Sequence, residues 1–429
     1  MTNIYKKEAL KILNITNSEQ ENSFLSDSEM DIESPNFYIK QALSAIKQEN
    51  LENGWLWIWR GLYEFEDNKT LHSLKDLLTS AIKPTNSLAN KKLSILQGTI
   101  EIANQMNTIA KGTQKLGYRN NTLNYFPTYL NYSSNYMWPI SKENKHQIGN
   151  KLTRFSSEII PYYDLFHFHF GTSLTQTQSD IQLIKNEQKP ILMHHWGSEV
   201  RILSEALKTN PFAKAKVLNE RWIKNKLSML GNQIEACVVA DEELYQYVKN
   251  YYKKVYIVPL MVDLEVYKPK AHPNNKKFTI VHAPTSPEIK GTPYILKAME
   301  ELRESYDFDF QIIQGMSHEK AKQLYQSADL IIDQLHIGSY GLLAVESMAM
   351  GKPVICYISE FMRDQYSKDL PIITANPDTI VNVVKGLLEE PDQLQDIGVK
   401  GRKYVEQYHN MNTNSAKIAQ IYDEQVNNK

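Results

Sequence analysis

The sequence has only two cysteines, no long apolar run and no surplus of charge of either sign. Cys237 and Cys356 both lie in short apolar segments, which predicts buried thiols rather than a disulfide. No segment approaches the ~18 consecutive apolar residues of a membrane-spanning helix, and residues 1–20 are too polar for a signal peptide. With 48 basic and 49 acidic residues, the chain also lacks the positive charge expected of a nucleic-acid-binding protein. These absences predict a cytoplasmic protein without a nucleic-acid partner.

The first part of the chain differs in pattern from the rest. The first 34 residues are rich in Asn, Ser, Asp and Glu, which is typical of partial disorder. Apolar residues at helical spacing then predict a helical extension over residues 1–88. We expect its Trp55, Trp57 and Trp59 to pack against the main body, because helical aromatic stripes usually belong to a core. The alternative is a patch that binds a protein partner or the inner face of the membrane, which would make the protein peripheral.

From residue 89 onward, short apolar strands alternate with helical segments, which predicts parallel, doubly wound sheets. A segment with prolines and Asp263 separates two such series. We therefore expect an α/β fold with two Rossmann-like domains that face a cleft, one over residues 89–262 and one over residues 263–408. The last segment, residues 409–429, is predicted to form a helix that packs back on the first of these domains.

Residues 328–357 combine a buried strand, a glycine turn, a helix and a second strand. Backbone N–H groups at the start of such a helix can face an anionic ligand. Glu346, about one turn into the helix, can accept hydrogen bonds from sugar hydroxyls. This unit predicts a nucleotide-binding turn made of Gly338, Ser339, Tyr340, Gly341 and Leu342.

Part of this unit, GSYGLLAVESMAMGKPVI, resembles the donor-binding motif of glycosyltransferase family 4, whose usual form is E-G-F-G-L-x-x-x-E-A-M-A-x-G-x-P-V. The resemblance spans roughly residues 91–425. It implies the GT-B fold, a retaining glycosyltransferase, a nucleotide-diphosphate sugar as donor and no cofactor. Glu346 matches the family's second Glu, which holds the ribose. Gly338 stands where the family has its first Glu, so the Glu pair is broken in this sequence.

Two neighbouring strands carry histidines toward the predicted cleft. In DLFHFHFGTSL, His167 and His169 share one face because side chains alternate along a strand. The resemblance places His169 beside the transferred sugar, and it places His194, from LMHHWGSEVR, in the donor site. A buried histidine bonded to the backbone is the alternative. The histidine spacing matches no recognised metal pattern, so we expect no metal.

The segment IVHAPTSPEIKGTPYI begins the second series of strands. Its Lys290 precedes a predicted helix, where a point charge, a helix dipole and free N–H groups favour a pyrophosphate. The family has an Arg at the position of Thr285, and a solvated surface lysine is the alternative. By resemblance, Gly315 lies beside the nucleobase. Gly98, predicted as the turn after the first strand, resembles the family's first loop.

These features predict a hexosyl-transferring, retaining glycosyltransferase, with catalysis assigned by resemblance to His169, Lys290 and Glu346. The acceptor would be a glycan, a lipid-linked molecule or a protein. It is expected at loops 98–106 and 126–140, where the aromatic residues are Tyr125, Tyr129, Tyr132, Tyr136 and Trp138.

Two other functions remain open at this point. The missing Glu and Arg favour a glycosyltransferase-like partner or scaffold subunit that has lost turnover. A sugar-nucleotide epimerase shares the two-domain layout, but it would carry more acidic residues at the cleft. The sequence does not specify the base, the sugar, the acceptor or the oligomeric state.

Overall fold

The computed structural model describes residues 2–26, 34–82, 93–145, 147–269 and 277–427. The predicted boundary at residue 88 lies outside these ranges. Within them, two parallel-sheet α/β domains follow a helical N-terminal region, as the sequence pattern predicts. None of the described helices is long and apolar enough to cross a membrane.

In its described residues, the N-terminal extension forms five helices. Two of them form within the first 34 residues, where composition predicted partial disorder. Trp55 and Trp59 are buried, and the ring of Trp57 lies 4.9 Å from that of Tyr136 in the first domain. The tryptophans therefore join the core, as predicted from their helical spacing. The helices are α1 (Thr2–Ile12), α2 (Ser18–Ser26), α3 (Pro35–Lys47), α4 (Leu51–Glu64) and α5 (Lys69–Ala81).

The first domain is built on a seven-stranded sheet in the order β3-β2-β1-β4-β5-β6-β7, and every pair of neighbours is parallel. The turn predicted at Gly98 is wrong, because Gly98 pairs with Leu123 and Phe168 inside β1. The strands are β1 (Ser94–Thr99), β2 (Arg119–Asn124), β3 (Tyr136–Met137), β4 (Leu165–His169), β5 (Ile191–His194), β6 (Ala236–Val239) and β7 (Lys254–Ile257). The helices are α6 (Gln105–Lys115), α7 (Ile148–Ile159), α8 (Asp180–Asn186), α9 (Leu203–Ala206), α10 (Glu220–Gln233) and α11 (Glu242–Val248).

The second domain has a four-stranded parallel sheet in the order β11-β10-β8-β9. The strand predicted over residues 371–373 is reduced to a single bridge between Ile355 and Ile373. The strands are β8 (Phe278–His282), β9 (Phe308–Ile312), β10 (Leu330–Ile332) and β11 (Val354–Ile355). The helices are α12 (Pro287–Lys290), α13 (Thr292–Arg303), α14 (His318–Ser327), α15 (Leu342–Ala349), α16 (Glu360–Gln365), α17 (Ile380–Glu389) and α18 (Gln393–Tyr408).

A last helix, α19 (Met411–Asn427), returns to the first domain and packs on α6. The Tyr118 hydroxyl donates to Asp423 over 2.7 Å, and the Tyr422 hydroxyl lies 2.7 Å from His167 Nδ1. Because α19 follows the second domain in the chain, these contacts fasten the two domains to each other.

Candidate functional site

A cavity of about 330 Å³ lies between the two domains, and we refer to it as the interdomain cleft. Its first-domain wall follows the carboxyl ends of β1, β5 and β6, which is where open parallel sheets bind ligands. Its second-domain wall is the start of α12 and the turn before α15. Six predicted site residues line the cleft, namely Thr285, Lys290, Ser339, Tyr340, Gly341 and Leu342.

Lys290 and the start of α15 meet at one carboxylate. Lys290 Nζ donates to Asp333 Oδ1 over 2.7 Å, and the Gly341 N–H donates to Asp333 Oδ2 over 2.9 Å. Asp333 is fully buried, whereas Lys290 remains partly exposed to the cleft. A helix start and a lysine favour an anion together, and in this structure the Asp333 carboxylate is that anion. Sequence analysis missed Asp333, whose position after a buried strand was its only signal.

Glu346 is buried in α15 and makes three hydrogen bonds. Its Oε1 accepts from the Tyr267 hydroxyl over 2.6 Å, and His318 Nε2 lies 3.0 and 3.1 Å from its two oxygens. Burial lowers the pKa of His318, but the hydrogen bond and charge of Glu346 outweigh burial and raise it. Tyr132, from the first domain, packs its ring 5.1 Å from that of His318. Gly315, with φ of +66°, precedes α14 and does not line the cleft.

The predicted cleft histidines lie one layer below the cleft surface. The indole of Trp196, which lines the cleft, donates to His169 Nδ1 over 3.1 Å and stacks 3.9 Å from the His194 ring. His169 Nε2 therefore carries the proton and donates to Gln97 Oε1 over 2.9 Å. Burial lowers the pKa of both His169 and His194, so both rings are neutral. Trp196, rather than His169, therefore lines the cleft.

Three of these histidines, His167, His169 and His194, bring ring nitrogens within 4.8 Å of one another, a distance compatible with metal ligands. However, both nitrogens of His169 already form hydrogen bonds, to Trp196 and Gln97. A metal ion would have to break one of them. The three histidines and Gln97 thus form a packed polar layer beneath Trp196, which holds the indole in place.

The first-domain wall also carries cations that the sequence analysis did not identify. Arg201 forms two hydrogen bonds of 2.7 Å with the Glu243 carboxylate, so its charge is compensated. Lys216 lines the cleft with an exposed side chain. Burial, followed by the charge of Glu243, raises the pKa of the neighbouring Asp241 to about 7. The cleft is therefore more cationic at neutral pH than its residue types suggest.

Residues 308–404 match the family model of glycosyl transferases group 1. A curated relative, the MMP alpha-(1->4)-mannosyltransferase of Mycolicibacterium hassiacum, is 22% identical over 204 residues, which cover 41% of this chain and 49% of the relative. The chain thus spans about half the length of this relative.

Two solved structures resemble most of the chain. Sucrose-phosphate synthase from Thermosynechococcus elongatus has a TM-score of 0.56 at 13% identity and covers 78% of this chain and 100% of its own. Anabaena HepE in complex with UDP-glucose has a TM-score of 0.54 at 11% identity and covers 77% and 100%. At these identities the likeness shows the fold, which is GT-B. The match to the family model, over residues 308–404, lies within the second domain of this fold.

The structure explains why this chain lacks the first Glu of the glycosyltransferase family 4 motif. Gly338 has φ of +83°, a conformation that favours glycine. A Cβ there would lie 2.8 Å from Asn210 Nδ2 and 3.0 Å from Ser359 Cβ. Asn210 donates to the His336 carbonyl over 2.7 Å, so a first-domain side chain occupies the space that a Glu would need.

The predicted acceptor loops have a different surface from the one expected. Tyr125, Tyr136 and Trp138 are buried in the core. Tyr129 is exposed, and Tyr132 packs on His318. The alternating pattern of strands did not reveal that the first-domain core continues under the extension helices.

Proposed function

We propose that the protein is a retaining glycosyltransferase that binds a nucleotide-diphosphate sugar in the interdomain cleft. The observation that carries this proposal is the convergence of Lys290 Nζ and the Gly341 N–H on one anion position at the cleft wall. Both groups suit the diphosphate of such a donor. A structure of the same fold, Anabaena HepE, contains UDP-glucose.

The difficult step in glycosyl transfer is departure of the diphosphate. Negative charge grows on the leaving phosphate oxygen as its bond to the anomeric carbon breaks. Lys290 and the N-terminus of α15 stabilise this charge once the phosphate takes the place of the Asp333 carboxylate beside them. Trp196 forms the opposite wall and shields the sugar from water.

The ribose end of the donor is assigned to Glu346. Its carboxylate already accepts from Tyr267 and His318, so a ribose hydroxyl replaces the His318 hydrogen bond. The loop that carries Tyr132 contacts His318 through its ring and through the Leu130 carbonyl, which accepts from the His318 N–H over 3.2 Å. Nucleotide binding therefore requires this loop to shift.

The test is a thermal-shift screen with UDP, GDP, ADP, TDP and their common sugar conjugates, since a ligand of the folded state raises the melting temperature. For the nucleotide that binds, Lys290→Met and Glu346→Gln should each weaken affinity about tenfold or more, the value of a charge-assisted hydrogen bond. Lys297→Met, at an exposed lysine of α13, is the matched control.

Lys290→Met leaves the buried Asp333 carboxylate without its cation, so the paired variant Lys290→Met/Asp333→Asn removes both charges and tests binding in a folded protein. Unchanged affinity in this pair and in Glu346→Gln would place the donor elsewhere. Hydrolysis of the donor, followed by NMR of the anomer released, tests both turnover and retention.

The second candidate function is a partner subunit without turnover. The observation that favours it is that the two donor-binding groups are internally satisfied, Lys290 by Asp333 and Glu346 by His318. This function predicts that no nucleotide shifts the melting temperature, or that one binds and no sugar conjugate of it is hydrolysed or transferred.

A further inference from the structure

A second cavity, of about 510 Å³, opens at the carboxyl edge of the seven-stranded sheet, and we refer to it as the lateral pocket. It lies beyond the ends of β1, β2 and β4, whereas the cleft lies beyond β1, β5 and β6. Helix α10 forms one wall. The residues that line it include Thr99, Phe126, Thr172, Trp222, Lys226 and Met229.

Lys226 is the only charged residue that lines the lateral pocket, and no carboxylate lines it. Its side chain is half-buried and has no ion-pair or hydrogen-bond partner within the described ranges. Burial lowers the pKa of Lys226, and the charge of Glu199 raises it by a smaller amount. The two carboxylate oxygens of Glu199, however, already accept hydrogen bonds from the backbone N–H groups of Trp196 and Gly197 over 2.7 and 3.0 Å. Lys226 Nζ lies 5.1 Å from the centre of the Trp222 ring, and this cation–π contact offsets only part of the cost of burying the charge without an anion.

The same wall offers apolar surface. Trp222, Lys226 and Met229 follow helical spacing, so they share one face of α10. Trp222 is 47% exposed, Met229 42% and Phe126 38%, which are large values for such side chains. Across the pocket lie the hydroxyls of Thr99 and Thr172, which are 3.0 Å apart. The pocket thus combines one cation, an aromatic face and hydroxyl groups.

We propose that the lateral pocket binds a carbohydrate that carries an anionic group, either a phosphate or a carboxylate. Lys226 holds the anion, Trp222 packs against the sugar ring, and the threonine hydroxyls bond to sugar hydroxyls. The lateral pocket and the interdomain cleft share no lining residue, so this inference does not depend on the proposed function. The absence of any acidic lining residue excludes a cationic ligand.

The first experiment uses the unmodified protein. Brief acetylation with limiting acetic anhydride labels lysines according to their access and basicity, and mass spectrometry reads the label at Lys226 and at Lys224. Lys224 lies on the same helix, is exposed and pairs with Glu220 over 3.5 Å, so it serves as internal control. Labelling is repeated with glucose 6-phosphate, glucuronate, glucose and inorganic phosphate.

The proposal expects glucose 6-phosphate, glucuronate or both to reduce labelling of Lys226 and not of Lys224. Protection by one of the two identifies the anion as phosphate or carboxylate. Glucose alone should not protect, and inorganic phosphate should protect only at much higher concentration. Equal protection by inorganic phosphate and glucose 6-phosphate, or none by any sugar, overturns the proposal.

Calorimetric titration with the protecting sugar gives a second readout. Lys226→Met should weaken binding about tenfold, whereas Lys226→Arg should restore most of it and Lys224→Met should leave it unchanged. The nucleotide screen remains independent of this pocket. If a sugar protects Lys226 but no nucleotide raises the melting temperature, the lateral pocket is a binding site and the proposed glycosyltransferase is rejected. If a nucleotide raises the melting temperature but no sugar protects Lys226, the enzyme is retained and the lateral pocket is rejected.

Discussion

Restoring the first Glu of the family motif should harm this protein rather than improve it. Gly338→Glu places a side chain on a residue with φ of +83°, which costs about 1–2 kcal/mol for any residue with a Cβ. Its Cβ also meets Asn210 Nδ2 at 2.8 Å, so the hydrogen bond from Asn210 to the His336 carbonyl must break, at about 1 kcal/mol more. We expect a loss of roughly 2–3 kcal/mol.

A loss of roughly 2–3 kcal/mol lowers the melting temperature of a domain of about 150–250 residues by roughly 4–12 °C. Scanning calorimetry resolves a difference of this kind. Gly315→Ala is the control, because Gly315 also has positive φ, at +66°, but a Cβ there would meet no atom within 4 Å. Gly315→Ala should therefore lose only the free energy that the strained backbone conformation costs. Gly338→Ala should be less stable than Gly315→Ala by the cost of the contact with Asn210.

The reasoning also predicts the effect on function. The hydrogen bond from Asn210 joins the two domains beside the donor turn, so Gly338→Glu should weaken nucleotide binding and donor hydrolysis rather than raise them. Wild-type stability in Gly338→Glu, or faster hydrolysis, would show that the turn adapts to the Glu and that its absence is not set by packing.

Two further predictions concern the extension and the donor site. Trp55→Ala should destabilise the protein by about 3–5 kcal/mol, because the indole is buried, donates to Thr79 Oγ1 over 2.9 Å and packs 4.6 Å from the Tyr162 ring; calorimetry measures this, with exposed Trp222→Ala as control. The His318–Glu346 pair raises the folded pKa of His318, so its stabilisation is complete below the unfolded pKa of about 6.5 and is lost as pH rises through the folded pKa. Burial lowers the pKa of His167, His169, His194, His282, His336 and His409, which gives the opposite pH dependence in wild type and variant alike. The denaturant midpoint of the wild type should therefore exceed that of His318→Gln most at low pH, and this difference should shrink as pH rises through the range; a difference independent of pH would contradict the pairing.

The fold could be predicted because its signals are local. The alternation of strands and helices is visible within short stretches of sequence and predicts a doubly wound domain. The motif around Gly341 predicts where the donor turn lies. Helical spacing likewise assigned Trp55 and Trp59 to the core. Gly98 was misplaced because a glycine at a strand end looks like a turn, while its pairing on both sides extends β1 through Thr99.

The partners of the site residues could not be predicted, because they come from distant parts of the chain. Tyr267 reaches Glu346 across 79 residues, and Asp333 reaches Lys290 across 43. His169 illustrates the same limit. Its position at a strand end suggested the cleft surface, but Trp196, from the next strand, covers it. Sequence periodicity gives the face of an element and not what packs against that face.

The internal pairing of the donor-site groups determines how their variants must be interpreted. Under the proposed function, a nucleotide adds no hydrogen bonds to free groups, because it exchanges those that Asp333 and His318 already make. Its affinity is therefore the difference between two states in which these groups are hydrogen-bonded.

Removing Lys290 alone changes both states, since the Asp333 carboxylate loses its cation whether or not a ligand is bound. Only the cycle of Lys290→Met, Asp333→Asn and the pair separates the phosphate contact from the internal one. A coupling energy that shrinks when the nucleotide is bound would show that the phosphate takes the place of Asp333 beside Lys290.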